Sequence, residues 1–395
     1  MDMATNPFVP GAGSSPPELM GRLDIMEQAR VLFARVKAGR FEKAIILTGL
    51  RGVGKTVLLN RMQLLAREAG YHSEFIESPE RDRLPEILVP ALRRVLLEFD
   101  TGTQVTAAGR KAWDALKAFA KGFKVKLGEL EVGIDLERNR GTADSGLLER
   151  DLTDLIVSVG EAAKIAKTSV AILIDELQYL KEPELAALIT AMHRVSQLQL
   201  PVVLCAAGLP QIAGLAGDAK SYSERLFNFM TIGQLNETDA GLAISAPLQR
   251  EGIAIDPAAL AEIVRVTGGY PYFLQEWGYH AWNTAKASPI KLADVQAATA
   301  TALARLDESF FRVRFDRLTP LEKFYLRAMA ELGPGAHRSG AIADVMGKKV
   351  SQVAPARDSL IKKGMIFSQS HGETEFTVPL FDQFMKRAMP KLETA

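Results

Sequence analysis

Short, continuous apolar runs alternate along the first 236 residues with longer stretches whose apolar side chains recur every three or four positions. Runs such as Ala44-Ile45-Ile46-Leu47, Val170-Ala171-Ile172-Leu173-Ile174 and Val202-Val203-Leu204-Cys205-Ala206 suit strands buried on both faces of a parallel sheet. The three-to-four spacing lays one apolar stripe along a helix. The pattern predicts strands over 44–48, 72–77, 170–174, 201–207 and 229–233, and helices over 24–38, 55–69, 85–99, 147–166 and 183–198. Strand and helix in alternation predict a three-layer α/β domain on a parallel sheet.

The strand at 44–48 runs into Gly49-Leu50-Arg51-Gly52-Val53-Gly54-Lys55-Thr56, and a helix follows from Val57. Glycines there let the backbone turn tightly and approach phosphate oxygens. The loop amides and the helix N-terminus point at an anion. Lys55 adds a positive charge at the β- and γ-phosphates, and the Thr56 hydroxyl suits Mg²⁺. The run 170–174 ends in Asp175-Glu176. Asp175 is the candidate that holds the Mg²⁺ bound to Thr56, and Glu176 the candidate that orients or deprotonates the attacking water.

Four parts follow from the pattern. Residues 1–18, rich in Pro, Gly and Ser, form an extended leader laid over the first domain. The α/β domain covers 19–236, with an insertion at 100–143. In the insertion Val125, Leu127, Leu130, Val132, Ile134 and Leu136 suggest a hairpin around Gly128-Glu129, with mobile flanks at 101–109 and 138–146. Residues 237–317 are helical, over 237–249, 257–267, 272–285 and 292–305. Residues 318–395 give helices over 320–331, 339–346 and 351–363, then a wing of strands over 365–369 and 373–378 turning at His371-Gly372. This is a winged-helix pattern. In DNA binders its third helix enters the major groove. Here that helix offers Gln352, Arg357, Lys362 and Lys363, and residues 310–395 hold 14 Lys and Arg against 9 Asp and Glu. DNA binding and a protein-binding use of the same face both remain open. In Phe310-Phe311-Arg312-Val313-Arg314-Phe315 the aromatics are expected to pack between helical elements rather than against bases. Tyr270, Tyr272, Phe273, Trp277 and Trp282 are expected in the core.

Composition narrows the partners. Of 395 residues 47% are hydrophobic and 24% charged, ordinary for a globular protein. The net charge of +1 restricts any nucleic-acid site to a local patch. The single cysteine, Cys205, lies in an apolar run, so no disulfide framework is possible and a reducing, cytoplasmic setting is expected. No apolar run is long enough to span a bilayer, the N-terminus lacks the pattern of a signal peptide, and the five histidines show no ligand spacing.

With both motifs in view, residues 49–56 resemble a Walker A motif and 172–176 a Walker B motif. The chain resembles AAA+ P-loop ATPases of the origin-recognition and initiator type, and the archaeal-type ATPases related to STAND signalling NTPases, over roughly residues 5–390. Asp175-Glu176-Leu177-Gln178-Tyr179 resembles the "DELQ" form of those prokaryotic ATPases. The resemblance implies ATP and Mg²⁺ as ligands, with nucleotide held between the α/β domain and a helical lid. It places Gly21-Arg22 near the adenine. It makes Arg225 a candidate arginine finger acting on a neighbouring subunit's γ-phosphate, although an arginine there also suits an ion pair. Thr267-Gly268-Gly269-Tyr270-Pro271 resembles the "GxP" turn of STAND NTPases, with Pro271 beside the nucleotide. Ala206-Ala207-Gly208 departs from the family at the usually polar sensor 1 position, where Gln211 is the nearest amide; this puts fast hydrolysis in doubt.

The resulting expectation is an ATPase of low turnover that works as a nucleotide-dependent switch, with output through the C-terminal winged helix onto DNA. A STAND-like regulator acting on a protein partner, or on its own copies, is the alternative. A helper ATPase in transposition or phage defence is a third.

Overall fold

The computed structural model describes residues 1–11, 19–79, 83–99, 106–126, 142–368 and 372–392. The expected hairpin at 125–136 and the wing turn at His371 lie largely outside the described residues. The chain divides into two compact units. One, the α/β unit, comprises Arg22–Gly49 and Lys55–Ile232; the other, the helical unit, comprises Met1–Gly21, Leu50–Gly54 and Gly233–Ala395.

In the α/β unit, α1 (Leu23–Lys37) precedes β1 (Ala44–Thr48), α2 (Lys55–Glu68), β2 (Tyr71–Glu77), α3 (Leu84–Phe99), α4 (Ala107–Gly122), α5 (Leu148–Ile165), β3 (Ser169–Asp175), α6 (Glu182–Gln197), β4 (Val202–Gly208), α7 (Ile212–Ala219), α8 (Ser223–Leu226) and β5 (Phe227–Thr231). The five strands form a parallel sheet in the order β2-β3-β4-β1-β5. Every residue of β1, β3 and β4 is buried, as the continuous apolar runs require. Alternate residues Ile46, Ile172, Ile174, Leu204 and Ala206 pack into one core with α3, α4, α5 and α6. Burying each such side chain stabilises by roughly 1.5–3 kcal/mol. Strand β5 begins two residues earlier than expected, because Ala44 pairs with Phe227. Helix α4 overlaps the end of the expected mobile flank at 107–109 and continues to Gly122, in a stretch of the insertion for which the sequence suggested no element. It is capped by Thr106, whose hydroxyl accepts from Gly109 N–H at 3.0 Å, and it buries Ala112, Ala115, Leu116 and Phe119.

The helical unit continues through α9 (Glu237–Arg250), α10 (Pro257–Thr267), α11 (Pro271–Thr284), α12 (Leu292–Arg305), a π-helical turn at Leu306–Phe311, α13 (Arg312–Phe315) and α14 (Pro320–Glu331). Then come β6 (His337–Arg338), α15 (Ser339–Val345), α16 (Val350–Lys362), β7 (Ile366–Phe367), β8 (Glu373–Phe376) and α17 (Phe381–Ala388). The last three strands form an antiparallel sheet in the order β6-β8-β7. Phe311 and Phe315 pack on Phe384 with ring centroids 5.3 and 5.7 Å apart, so this aromatic stretch serves packing, as expected.

The leader departs from expectation. Its described part, 1–11, packs on α11 within the helical unit. Phe8 is buried against Gly278, where a Cβ would stand 2.6 Å from its ring, and Trp282 Nε1 donates to the Asp2 carbonyl at 2.8 Å. Glycine on α11 leaves a slot that the Phe8 ring fills, which a reading of composition alone does not show.

Candidate nucleotide site

Strands of a parallel sheet carry their functional loops at the C-terminal edge. In the α/β unit β4 lies between β1 and β3, so the ends of all three come together. Gly49 N–H, at the end of β1, donates to the Gly208 carbonyl at the end of β4 at 3.2 Å. Lys55 opens α2 and is only 7% exposed; its Nζ donates to the Gly49 carbonyl at 2.8 Å. Thr56 Oγ1 donates to Asp175 Oδ2 at 2.5 Å, which joins residues 119 positions apart. The two motifs found in the sequence therefore meet.

Asp175 is 3% exposed. Burial pushes its carboxyl above the ordinary carboxylate range, against the opposing pull of the Thr56 hydroxyl, the Glu176 N–H and the Lys55 charge. A buried carboxylate beside a hydroxyl favours a cation. Among the described residues no group of three or more His, Cys, Asp and Glu could hold a metal by itself. Mg²⁺ needs no such cage, since it keeps water and phosphate oxygens as ligands beside one or two protein groups. Thr56 Oγ1 and Asp175 fit that requirement.

Glu176 adopts left-handed backbone angles, φ 54° and ψ 42°, as the chain leaves β3 for a 3₁₀ turn at Leu177–Tyr179. Its N–H donates to Asp175 Oδ1 at 2.8 Å. Gln178 Nε2 donates to the Glu176 carboxylate, and Gln178 Oε1 accepts from Leu209 N–H at 3.0 Å. Ala206 and Ala207 are buried in β4 and offer no polar side chain. The amide that reaches the end of this strand belongs to Gln178, not Gln211, whose Oε1 is buried without a hydrogen-bond partner among the described residues. Arg225, on the four-residue α8, is exposed.

In the helical unit the loop segment Leu50–Gly54 is held at several points. Tyr272 N–H donates to the Gly52 carbonyl at 3.1 Å, and the Tyr270 hydroxyl donates to the Arg51 carbonyl. Arg51 N–H donates to the Thr377 carbonyl at 3.2 Å, and a Cβ at Gly364 would stand 2.7 Å from Arg51 Nη2. Val53 is buried and Gly54 has φ 94°, in the left-handed region that favours glycine. The tyrosines flank Pro271, the first residue of α11. The turn before it depends on Gly269, with φ 71°, where a Cβ would stand 2.3 Å from the Leu235 carbonyl oxygen. Tyr270, Phe273, Trp277 and Trp282 are buried as expected, while the half-buried Tyr272 stacks on Phe310 with ring centroids 4.7 Å apart. Gly21 is exposed, with φ 67° and the Asp239 carboxylate close by. Arg22 is half-buried and precedes α1, and Val57 is half-buried in the first turn of α2.

The candidate DNA face is only partly available. Lys363 Nζ donates to Glu322 Oε2 at 2.7 Å, and Arg357 Nη2 donates to Ser368 Oγ at 3.3 Å. Gln352 Oε1 accepts from Lys349 N–H at 2.8 Å as part of the α16 cap, and Lys362 is exposed.

Residues 18–205 match the family model of the AAA ATPase domain. Residues 308–385 match a domain of unknown function, DUF8462. No curated protein matches the chain at a significant level. Among solved structures, the Walker-type ATPase PABY2304 of Pyrococcus abyssi is similar, with a TM-score of 0.57 and 16% identity over 94% of this chain and 97% of that one. The Orc1 protein of Aeropyrum pernix, in complex with DNA, gives a TM-score of 0.47 at 14% identity over 95% and 94%. The RuvB Holliday junction branch migration motor of Thermotoga maritima gives 0.46 at 13% over 94% and 97%. The first of these likenesses shows a shared fold. The AAA ATPase match and the parallel five-stranded sheet agree with the P-loop ATPase expectation. No helix among the described residues is long and apolar enough to cross a membrane.

Proposed function

We propose that the chain is a Mg²⁺-ATP-binding molecular switch of the AAA+ type that hydrolyses ATP slowly. The observation that carries the reading is the 2.5 Å bond from Thr56 to Asp175, with Lys55 folded onto the adjoining loop. Residues 49–56 bind the phosphates, Thr56 and Asp175 hold the metal, and Glu176 accepts the proton of the attacking water. When bound, Mg²⁺ neutralises charge on the phosphate oxygens. Gly21-Arg22 lies near the base, and Arg225 is the candidate for a neighbouring subunit's phosphate, an assignment helped by its exposure. The organisation is a nucleotide domain to about 236, a lid to about 317 and a winged helix beyond. The helix–helix–helix–wing order of α14, α15, α16 and β7–β8 supports that last assignment. The switch reading rests on Arg51, whose N–H engages Thr377 beyond β8. A phosphate that reorients the loop would disturb that bond, so nucleotide state reaches the C-terminal module.

Replacing Lys55 with Ala is expected to abolish ATP binding in a calorimetric titration while the melting temperature without nucleotide stays within about 3 °C of wild type. Wild-type affinity in the variant would refute the assignment.

One observation favours a protein partner over DNA as the output: Lys363 is paired with the Glu322 carboxylate, and Arg357 turns Nη2 to Ser368. A duplex titration at two salt concentrations separates the two, since phosphate contacts weaken steeply with salt.

A further inference from the structure

Glu176 is restrained twice. Its N–H is bound to Asp175 Oδ1, and its carboxylate accepts from Gln178 Nε2. The orientation of the Gln178 amide is itself fixed. A backbone N–H can only donate, so the oxygen of the amide must face Leu209 N–H, which leaves the NH₂ group for Glu176. The strand end it reaches is made of Ala206, Ala207 and Gly208 and has no hydrogen-bonding side chain of its own. Gly208 suits this approach, because a Cβ there would stand 3.1 Å from Gln178 Oε1. The Gly208 carbonyl in turn accepts from Gly49 N–H, the first residue of the phosphate loop. A path of hydrogen bonds therefore runs from the Glu176 carboxylate through Gln178 and the Gly208–Leu209 backbone to Gly49.

We propose that Gln178 is a positioning residue for hydrolysis: it aims the Glu176 carboxylate at the attacking water, in place of a polar side chain at the end of β4. The proposal rests on the ATPase reading. In that reaction the water oxygen bonds to the γ-phosphorus and the bond to the β,γ-bridging oxygen breaks. One water proton passes to Glu176, and ADP leaves with the bridging oxygen, so the products are ADP and inorganic phosphate. A left-handed backbone at a non-glycine residue gives Glu176 a direction that its side chain would not hold unaided. Misplacing a reacting group by about 1 Å costs on the order of 100-fold in rate.

The test uses the full chain and steady-state ATP hydrolysis for wild type, Glu176→Gln, Gln178→Leu and Gln178→Glu. Leucine removes both hydrogen bonds. Glutamate still accepts from Leu209 N–H and, ionised, cannot donate to Glu176. Both Gln178 variants are expected to lose about 10- to 100-fold in kcat, with KM for ATP within about twofold of wild type. If Gln178 only shored up the turn at Leu209, Gln178→Glu would keep wild-type kcat, and that result overturns the proposal. A rise in kcat in either variant, or a loss confined to KM, also overturns it. Wild-type turnover that persists unchanged in Glu176→Gln overturns the role of Glu176 and the proposal with it, and no turnover at all overturns the ATPase reading.

Discussion

Glu322 joins the cap of α14 to α16, and its removal has a calculable effect. Its carboxylate accepts from Thr319 N–H at 2.7 Å, Ser359 Oγ at 2.6 Å and Lys363 Nζ at 2.7 Å. Burial alone would raise its pKa, but the Lys363, Ser359 and Thr319 donors outweigh it and hold the carboxyl down at about 2. Against the ordinary value of 4.5, that corresponds to about 3 kcal/mol at neutral pH. Lys363 is 37% exposed, so solvent screening reduces the figure to about 2 kcal/mol. Glu322→Gln keeps an acceptor for the cap and removes the charge. The expected loss is about 2 kcal/mol, or about 4–8 °C in melting temperature for a unit of this size. Because the folded carboxyl binds its proton less tightly than the unfolded one, this stability is complete above about pH 4.5 and is lost as pH falls toward about 2. The gap between wild type and variant should fall by about 40% at pH 3.5 relative to pH 7, read by urea unfolding with a probe in the C-terminal module. An unchanged gap at the two pH values would refute the electrostatic account. The same variant frees Lys363, so duplex DNA should bind the variant more tightly than wild type if α16 reads phosphates.

Two further substitutions probe the helical unit. Gly269→Ala should cost at least about 3 kcal/mol, because its Cβ would meet the Leu235 carbonyl, whereas Gly268→Ala, with φ 56° and nothing within 4 Å, should cost only about 1 kcal/mol; equal melting temperatures for the two would refute the packing argument. Phe8→Ala should cost about 3–5 kcal/mol and Gly278→Ala should evict the same ring, so a double-mutant cycle should show the two losses overlapping rather than adding.

The parts that were legible in the sequence are those whose cause is local. Strands β1, β3 and β4 announce themselves because burial on both faces requires an unbroken apolar run. The glycine-rich loop at 49–56 is legible because Gly52 and Gly54, with φ 84° and 94°, have a backbone task that other residues perform poorly. Helix α4 was not, because its buried stripe is carried largely by Gly109, Ala112, Ala115 and Ala120, which contrast weakly with their polar neighbours. The eight-residue α7 contains Gly214 and Gly217, which lower its helical signal. Charges mislead for a related reason. Lys363 reads as a solvent-facing cation until the fold brings Glu322 to it from 41 positions away.

Tyr270, Tyr272 and Gln178 mark where sequence reasoning by position gives out. All three were visible as residue types, yet their partners, Arg51, Gly52, Glu176 and Leu209, are set by tertiary placement. Position-by-position comparison found a polar group missing at the end of β4. Geometry allows the group to come from the neighbouring strand instead. Strands β3 and β4 are adjacent and parallel, so a side chain two residues past Glu176 can reach the backbone after Gly208. What the chemistry requires is a donor at a place, and adjacent strands of a parallel sheet give two chain positions access to that place. An apolar β4 end therefore does not leave Glu176 without a polar neighbour, and the rates of the Gln178 variants relative to wild type measure what that neighbour contributes to the slow hydrolysis proposed for the chain.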